Sequence, residues 1–293
     1  MIEIKNIVVP YDFSKRCRAA AGHAVALAQH FDAAITLLHV IPYSSFEYAA
    51  FEGGFYVGSV WPSEQDVMAR LKKEINELPA PDELKTGCKI MALKGEPALR
   101  IAEFVSRLDA PLVVMPTHGH GAFRRFILGS VTTKTLHDLK CPVFTGAHLE
   151  DQPPFAVHKY ERIACAVDLT AHSEHTLRFA VDFAKAWNAK LTVVHASTWL
   201  IGADADNGML SDAIRKRLLD TSKGEAVALL RAVGCDADLR VGFGRPEDFV
   251  PKTVREVDAD MLITGRRTGK DGGGLSSHGH DLIRSAPCPV LSV

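Results

Sequence analysis

Two glycines separated by nine residues, Gly119 and Gly129, bracket the stretch of this 293-residue chain best suited to chemistry. Met115-Pro116-Thr117-His118-Gly119 follows an apolar, strand-like run, and Gly129-Ser130-Val131-Thr132 opens a helical pattern. Gly119 and Gly121 permit positive φ and close backbone approach. A helix starting at Gly129-Ser130 would turn free N–H groups and the positive end of its dipole toward an anion. The hydroxyls of Ser130, Thr132 and Thr133 would add donors, and Arg124 and Arg125 bring positive charge. The chemistry on offer is phosphate binding. A glycine-rich turn followed by an ordinary serine cap explains the same residues.

Other candidates are weaker. Asp12 and Asp168 end strand-like runs, where a carboxylate caps the next turn; at Asp12 a ribose or Mg2+ contact is compatible with the same geometry. His39 and His195 end apolar strands and read as core-edge histidines. His118-Gly119-His120 and His278-Gly279-His280 invite a zinc site, but they stand at non-equivalent places and lack an acidic or thiol partner nearby. Residues Tyr43–Trp61 form an aromatic insertion, read as a flap over core or a subunit interface, or as a lid or apolar-ligand pocket. The six cysteines form no Cys-x-x-Cys pair and read as free thiols. No Ser-His-Asp order, Walker loop, metalloprotease motif or kinase signature is present, so no turnover reaction is supported.

Secondary structure must position these residues, and the chain writes that structure twice. Asp12 and Asp168, like His39 and His195, stand 156 residues apart. Cys88 and Cys235, like Cys141 and Cys288, stand 147 apart, and Gly95-Glu96-Pro97 recurs as Gly244-Arg245-Pro246 at 149. A period this long marks a duplicated domain rather than a solenoid. In the first copy, strands are expected at 4–10, 34–40, 88–93, 112–115 and 143–145. Helices are expected from Ser14 to about His30 and over 63–78, 97–108 and 131–139. The second copy repeats this with strands at 162–167, 190–195, 238–241, 261–264 and 290–293, and helices at 173–187, 209–232, 246–257 and 277–285. Apolar strands alternating with helices imply two doubly wound parallel sheets, with ligand sites beyond the carboxyl ends of the strands. The expected division is a domain at 1–148, a linker at 149–160 containing Pro153-Pro154, and a domain at 161–293.

The order of these motifs resembles the universal stress protein family: Asp12-x-Ser14 after a strand, Leu38-His39-Val40, Gly119-x9-Gly129-Ser130, and the closing Cys141-Pro142-Val143. The resemblance covers essentially the whole chain, twice, as in a tandem member. It implies a five-stranded parallel sheet of order 3-2-1-4-5 with flanking helices in each half. It also implies that members with the full glycine pattern bind ATP, while others do not. By position, Pro10 and Asp12 would flank ribose and adenine, Val40 would touch adenine, and Met115, Pro116, Gly119, Gly129, Ser130, Val131 and Thr132 would line the triphosphate loop. Pro116 departs from the pattern's first glycine and removes one N–H. In the second copy Thr268 replaces a glycine and Ser276-Ser277-His278 replaces Gly129-Ser130-Val131, so that site reads as degenerate or altered. The expectation is a stress-response protein whose N-terminal half binds ATP, with or without Mg2+, for regulation, with at most weak ATP hydrolysis or self-phosphorylation. The alternatives are a ligand-independent interaction module and a sensor of a metal or apolar ligand. The halves would form an intramolecular pseudo-dimer, and two chains a possible homodimer.

Bulk properties set the outer limits. A net charge of −1 without a basic tract gives no support for nucleic-acid binding. No apolar run approaches the ~20 residues of a membrane span. The chain starts on a strand-like segment without a signal-peptide pattern, so a cytoplasmic location is expected.

Overall fold

The computed structural model describes residues 2–43, 62–78, 82–117, 128–146, 159–198, 212–266 and 277–293. The chain divides into two compact units, whose main bodies are Glu3–Phe144 and Lys159–Val293.

The first sheet is built from β1 (Asn6–Pro10), β2 (Ala34–Ile41), β3 (Lys89–Lys94), β4 (Pro111–Val114) and β5 (Val143–Thr145). Its strands run in the order β3-β2-β1-β4-β5, all parallel, with Ile7 opposite both Ile35 and Leu112. Ile7, Val8, Val9, Leu37, Leu112 and Val113 are wholly buried, because helices cover both faces of the central strands. Each such side chain contributes ~1.5–3 kcal/mol by leaving water. The crossovers are α1 (Lys15–Phe31), α2 (Glu64–Glu77), a short α3 (Asp82–Gly87), α4 (Pro97–Val105) and α5 (Ser130–Asp138).

Local signals explain the helix ends. The Ser14 hydroxyl oxygen accepts from the Cys17 N–H at 3.2 Å and starts α1, which closes on Asp32 in the left-handed region at φ 51°. Ser63 and Asp66 cap α2 reciprocally. Glu96 accepts from the Leu99 N–H at 2.7 Å, and Pro97 fills the first position of α4. Just before this cap, Gly95 has φ 140°, as Gly244 has 139° in the second half, a backbone only glycine adopts readily. That requirement is why these two glycines mark the repeat.

The second sheet repeats the plan with β6 (Arg162–Ala166), β7 (Lys190–Ser197), β8 (Asp238–Phe243), β9 (Met261–Thr264) and β10 (Val290–Ser292). The parallel order is β8-β7-β6-β9-β10. Its helices are α6 (Ser173–Trp187), α7 (Asp212–Val233), α8 (Pro246–Glu256) and α9 (Ser277–Ser285). Asn188 closes α6 at φ 51°, the counterpart of Asp32. Phe183, Ile263, Leu262 and Val290 are fully buried in this core.

The two α/β sheets of order 3-2-1-4-5 are therefore as expected, with element ends displaced by at most three residues. Helix α3 was not expected from the sequence. The anticipated linker lies mostly outside the described residues, as does the aromatic insertion apart from Tyr43. Among the described residues no helix is long and apolar enough to cross a membrane.

Candidate functional site

In the first unit the strand order reverses beside β1, and ligands of such sheets bind beyond the carboxyl ends at that point. A cavity of about 250 Å³ opens there, just below the ~300–1,000 Å³ common for small-molecule sites. Nine of the ten residues proposed from the sequence line it: Pro10 and Asp12 after β1, Val40 on β2, Met115 and Pro116 after β4, and Gly129, Ser130, Val131 and Thr132 at the start of α5. The tenth, Gly119, lies outside the described residues, together with Gly121, Arg124, Arg125, His118 and His120.

The start of α5 is suited to an anion. Gly129 is its N-cap, at φ −62° and ψ 151°, and the first helical bond runs from the Thr133 N–H to the Gly129 carbonyl at 2.9 Å. The N–H groups of Ser130, Val131 and Thr132 precede that bond and meet no acceptor among the described residues. No acidic side chain occupies the first turn, so none competes for the positive dipole end. Two expected donors are already spent. The Gly129 N–H is held by the Thr117 carbonyl at 2.8 Å, and the Thr132 hydroxyl by the Pro116 carbonyl at 3.1 Å. Pro116 therefore anchors the helix start even though it offers no donor of its own.

The opposite side of the cavity is apolar and ends in a carboxylate. Pro10 and Val40 form the wall, and Asp12 Oδ1 accepts from the Ser14 N–H at 2.9 Å. Six further residues line the space that the sequence reading did not place there: Tyr11, Cys17, Leu38, His39, Pro97 and Ile101. Cys17 is buried, which pushes its thiol far up, and its Sγ donates to the Pro10 carbonyl at 3.5 Å, so it is no nucleophile. His39 Nδ1 sits 2.6 Å from the Tyr11 carbonyl and must carry the proton there, since a carbonyl only accepts. Burial lowers the His39 pKa and outweighs the pull of that carbonyl. This histidine thus sits at the edge of the core, as expected, and also at the rim of the cavity.

The second half treats the same positions differently. Asp168 Oδ1 accepts from the Thr170 N–H at 3.0 Å, the Thr170 hydroxyl at 2.7 Å and the Ser173 hydroxyl at 2.7 Å. Burial would raise its pKa, but these donors outweigh burial and hold the carboxyl low. One oxygen of the carboxylate is committed to its own turn. His278, which stands in place of Val131, contacts Glu247 through Nδ1 at 2.9 Å, and Arg245 Nε reaches the same carboxylate at 2.9 Å. A residue side chain at Gly265 would meet Thr176 Oγ1 at 2.6 Å, so the loop backbone is packed against α6. A roomier cavity of about 650 Å³ opens at the amino ends of β6 to β8. Charges of both signs line it, at the end of the sheet where such folds do not place ligands. Among the described residues no cluster of His, Cys, Asp or Glu is placed to hold a metal ion.

Comparison with known proteins agrees with this fold. The family model described as Universal stress protein family matches residues 3–145 and again 159–293. A universal stress protein of Methanocaldococcus jannaschii is 34% identical over 143 residues, 47% of this chain and 79% of that protein. The crystal structure of a universal stress protein from Archaeoglobus fulgidus matches with a TM-score of 0.63 at 18% identity, covering 98% of this chain and 97% of that one. A functionally unknown protein from Pseudomonas aeruginosa matches at 0.62 and 17% identity, over 99% of this chain and 92% of that one. At such identities the structural matches speak to the fold alone.

Proposed function

The chain belongs to the universal stress protein family, and from that membership we propose that its first half binds an adenine nucleotide, ATP with or without Mg2+, as a regulatory ligand. One observation carries the reading: a single cavity sets an apolar wall and a carboxylate against a helix start with three N–H groups that meet no acceptor among the described residues. In this reading adenine lies on Pro10 and Val40, and Asp12 takes the ribose hydroxyls as an acceptor. The phosphates meet the N–H groups of Ser130, Val131 and Thr132, where the helix dipole adds to hydrogen bonding. With no N–H at Pro116, and that of Gly129 already bonded, α5 supplies the donors on its side of the cavity. Among the described residues nothing pairs a base with a nucleophile, and in this reading the ligand acts by being bound rather than turned over.

The second half is read as not binding ATP in this manner. Asp168 Oδ1 already accepts three hydrogen bonds from its own turn, and His278 with Glu247 stands where the phosphate-facing start of the helix would be. The test is calorimetric titration with ATP and Mg2+ of the intact chain and of a Gly129→Val/Ser130→Pro variant. One site per intact chain is expected, with at least a tenfold loss in the variant, roughly one charge-assisted hydrogen bond. Equal binding by both proteins, or binding by neither, removes the proposal.

A further inference from the structure

On the far side of the strand ends that line the cavity, a second group of side chains grips the Tyr11–Phe13 segment. The Tyr11 hydroxyl donates to Glu74 Oε2 at 2.6 Å. Arg18 closes on the same carboxylate from α1, Nε to Oε2 at 2.8 Å and Nη2 to Oε1 at 2.6 Å. One turn earlier on α2, the Arg70 guanidinium carbon lies 4.0 Å above the Phe13 ring. Phe13 in turn packs edge-on against Tyr11 at 5.5 Å and against His39 at 5.0 Å between ring centres. Phe13 is held at φ 66°, a left-handed backbone that bulky residues seldom adopt. Two residues of α2 thus fix the segment whose middle residue is Asp12, and Tyr11, Asp12 and His39 all line the cavity.

This arrangement is expensive for a fold. Tyr11 is 3% and Glu74 8% exposed, and apolar side chains of similar volume often hold such a place at no loss of stability. The apolar stripe of α2, Val67, Leu71 and Ile75, already supplies its packing. The second half does without the device. Val167 stands where Tyr11 does and Glu174 where Arg18 does, while α7 buries Ser222, bonded to the Ser197 hydroxyl at 3.1 Å.

We infer that α2 is the element that senses whether the first-half cavity is filled, with Tyr11, Glu74 and Arg18 as the link. A ligand that fixes Asp12 and Tyr11 tightens the Tyr11–Glu74 contact and steadies α2; a change at α2 loosens the ligand by the same factor, since coupling between two sites is reciprocal. Glu74, Arg18 and Arg70 are positioning residues in this scheme, because they lie outside the cavity and act through the Tyr11–Phe13 segment. The inference rests on the nucleotide reading above.

The experiment follows amide hydrogen exchange of residues 64–77 with and without saturating ATP, alongside ATP titration, in the intact protein, Tyr11→Phe and Glu74→Gln. In the intact protein ATP is expected to slow exchange across α2 at least ~5-fold, the lower end of ordinary coupling. Tyr11→Phe and Glu74→Gln should each lose that slowing and, by the same coupling, bind ATP ~5-fold or more weakly, although Glu74 lies outside the cavity. Should Glu74→Gln fail to fold, Tyr11→Phe, which removes a single hydroxyl, decides alone. Exchange across α2 that ignores ATP in the intact protein, or that slows equally in Tyr11→Phe, overturns the inference and leaves the nucleotide reading standing. Absence of ATP binding by the intact protein overturns both.

Discussion

Replacing Ser130 by proline tests the anion site while leaving the helix that builds it. Ser130 occupies the first position of α5, where proline is well accommodated and no helical bond uses its N–H. Gly129 has φ −62° and ψ 151°, the extended backbone that a following proline requires. The bond from Thr133 to the Gly129 carbonyl, 2.9 Å, is untouched. Stability should therefore change by no more than ~0.5 kcal/mol, as for ordinary surface substitutions. Binding should not escape so lightly. A hydrogen bond to a charged group is worth ~1.5–3 kcal/mol, which at ~1.4 kcal/mol per decade is a loss of ~10- to ~100-fold in ATP affinity. Ser130→Ala keeps the N–H and loses only the hydroxyl, so the comparison of the two variants isolates the backbone donor. Calorimetric titration of ATP into the three proteins, with a thermal melt of each, is the assay. If Ser130→Pro melts like Ser130→Ala and binds ATP equally well, the backbone of α5 does not hold the phosphate and the reasoning is wrong.

Removing the reciprocal cap of α2 by Ser63→Ala should cost ~1 kcal/mol, read as faster amide exchange in the first turn of that helix; an unchanged rate would refute the cap. Phe183→Ala, which empties a fully buried place among Tyr160, Phe179 and Trp187, should destabilise the second unit by ~3–5 kcal/mol, measured as a fall in its urea midpoint; a loss under ~1 kcal/mol would deny Phe183 its place in the core. Burial acts to raise the Glu74 pKa, but the hydrogen bonds from Arg18 and Tyr11 prevail and hold it below the usual 4.5. Because the folded value is the depressed one, this stabilisation is present above the unfolded value and disappears as pH falls through the folded one. The intact protein should lose more stability than Glu74→Gln between about pH 5 and about pH 3, and parallel urea midpoints for the two proteins would contradict this.

The repeat made most of the fold legible, because Ser14, Pro97 and the glycines at 95 and 244 act through local backbone chemistry that a sequence displays directly. The start of α5 was legible for the same reason. What the residues already satisfied was not: the Gly129 N–H goes to Thr117 and the Thr132 hydroxyl to Pro116, pairings that depend on how the chain returns after the loop. The additional lining residues share that origin. Leu38 and His39 belong to an expected strand and Tyr11 directly follows another, yet at a strand's carboxyl end successive residues all reach the open edge. Ile101 reads as the apolar stripe of a helix, and only the crossover brings it over the cavity. Glu74 stands at the end of the polar run Lys72-Lys73-Glu74; its spacing from Val67 and Leu71 puts it on the apolar face, but its partners Tyr11 and Arg18 lie 63 and 56 residues away. The short α3 escaped because six residues give too few apolar positions for a period to show.

The way Asp168 is tied into its own turn has a thermodynamic consequence for the whole polypeptide. A nucleotide at a hundred times its dissociation constant would add ~2.7 kcal/mol to the unit that holds it and nothing to its twin. Cellular ligand concentration would then set which end of the molecule comes apart first under heat or force, although both ends share one ancestry and one architecture.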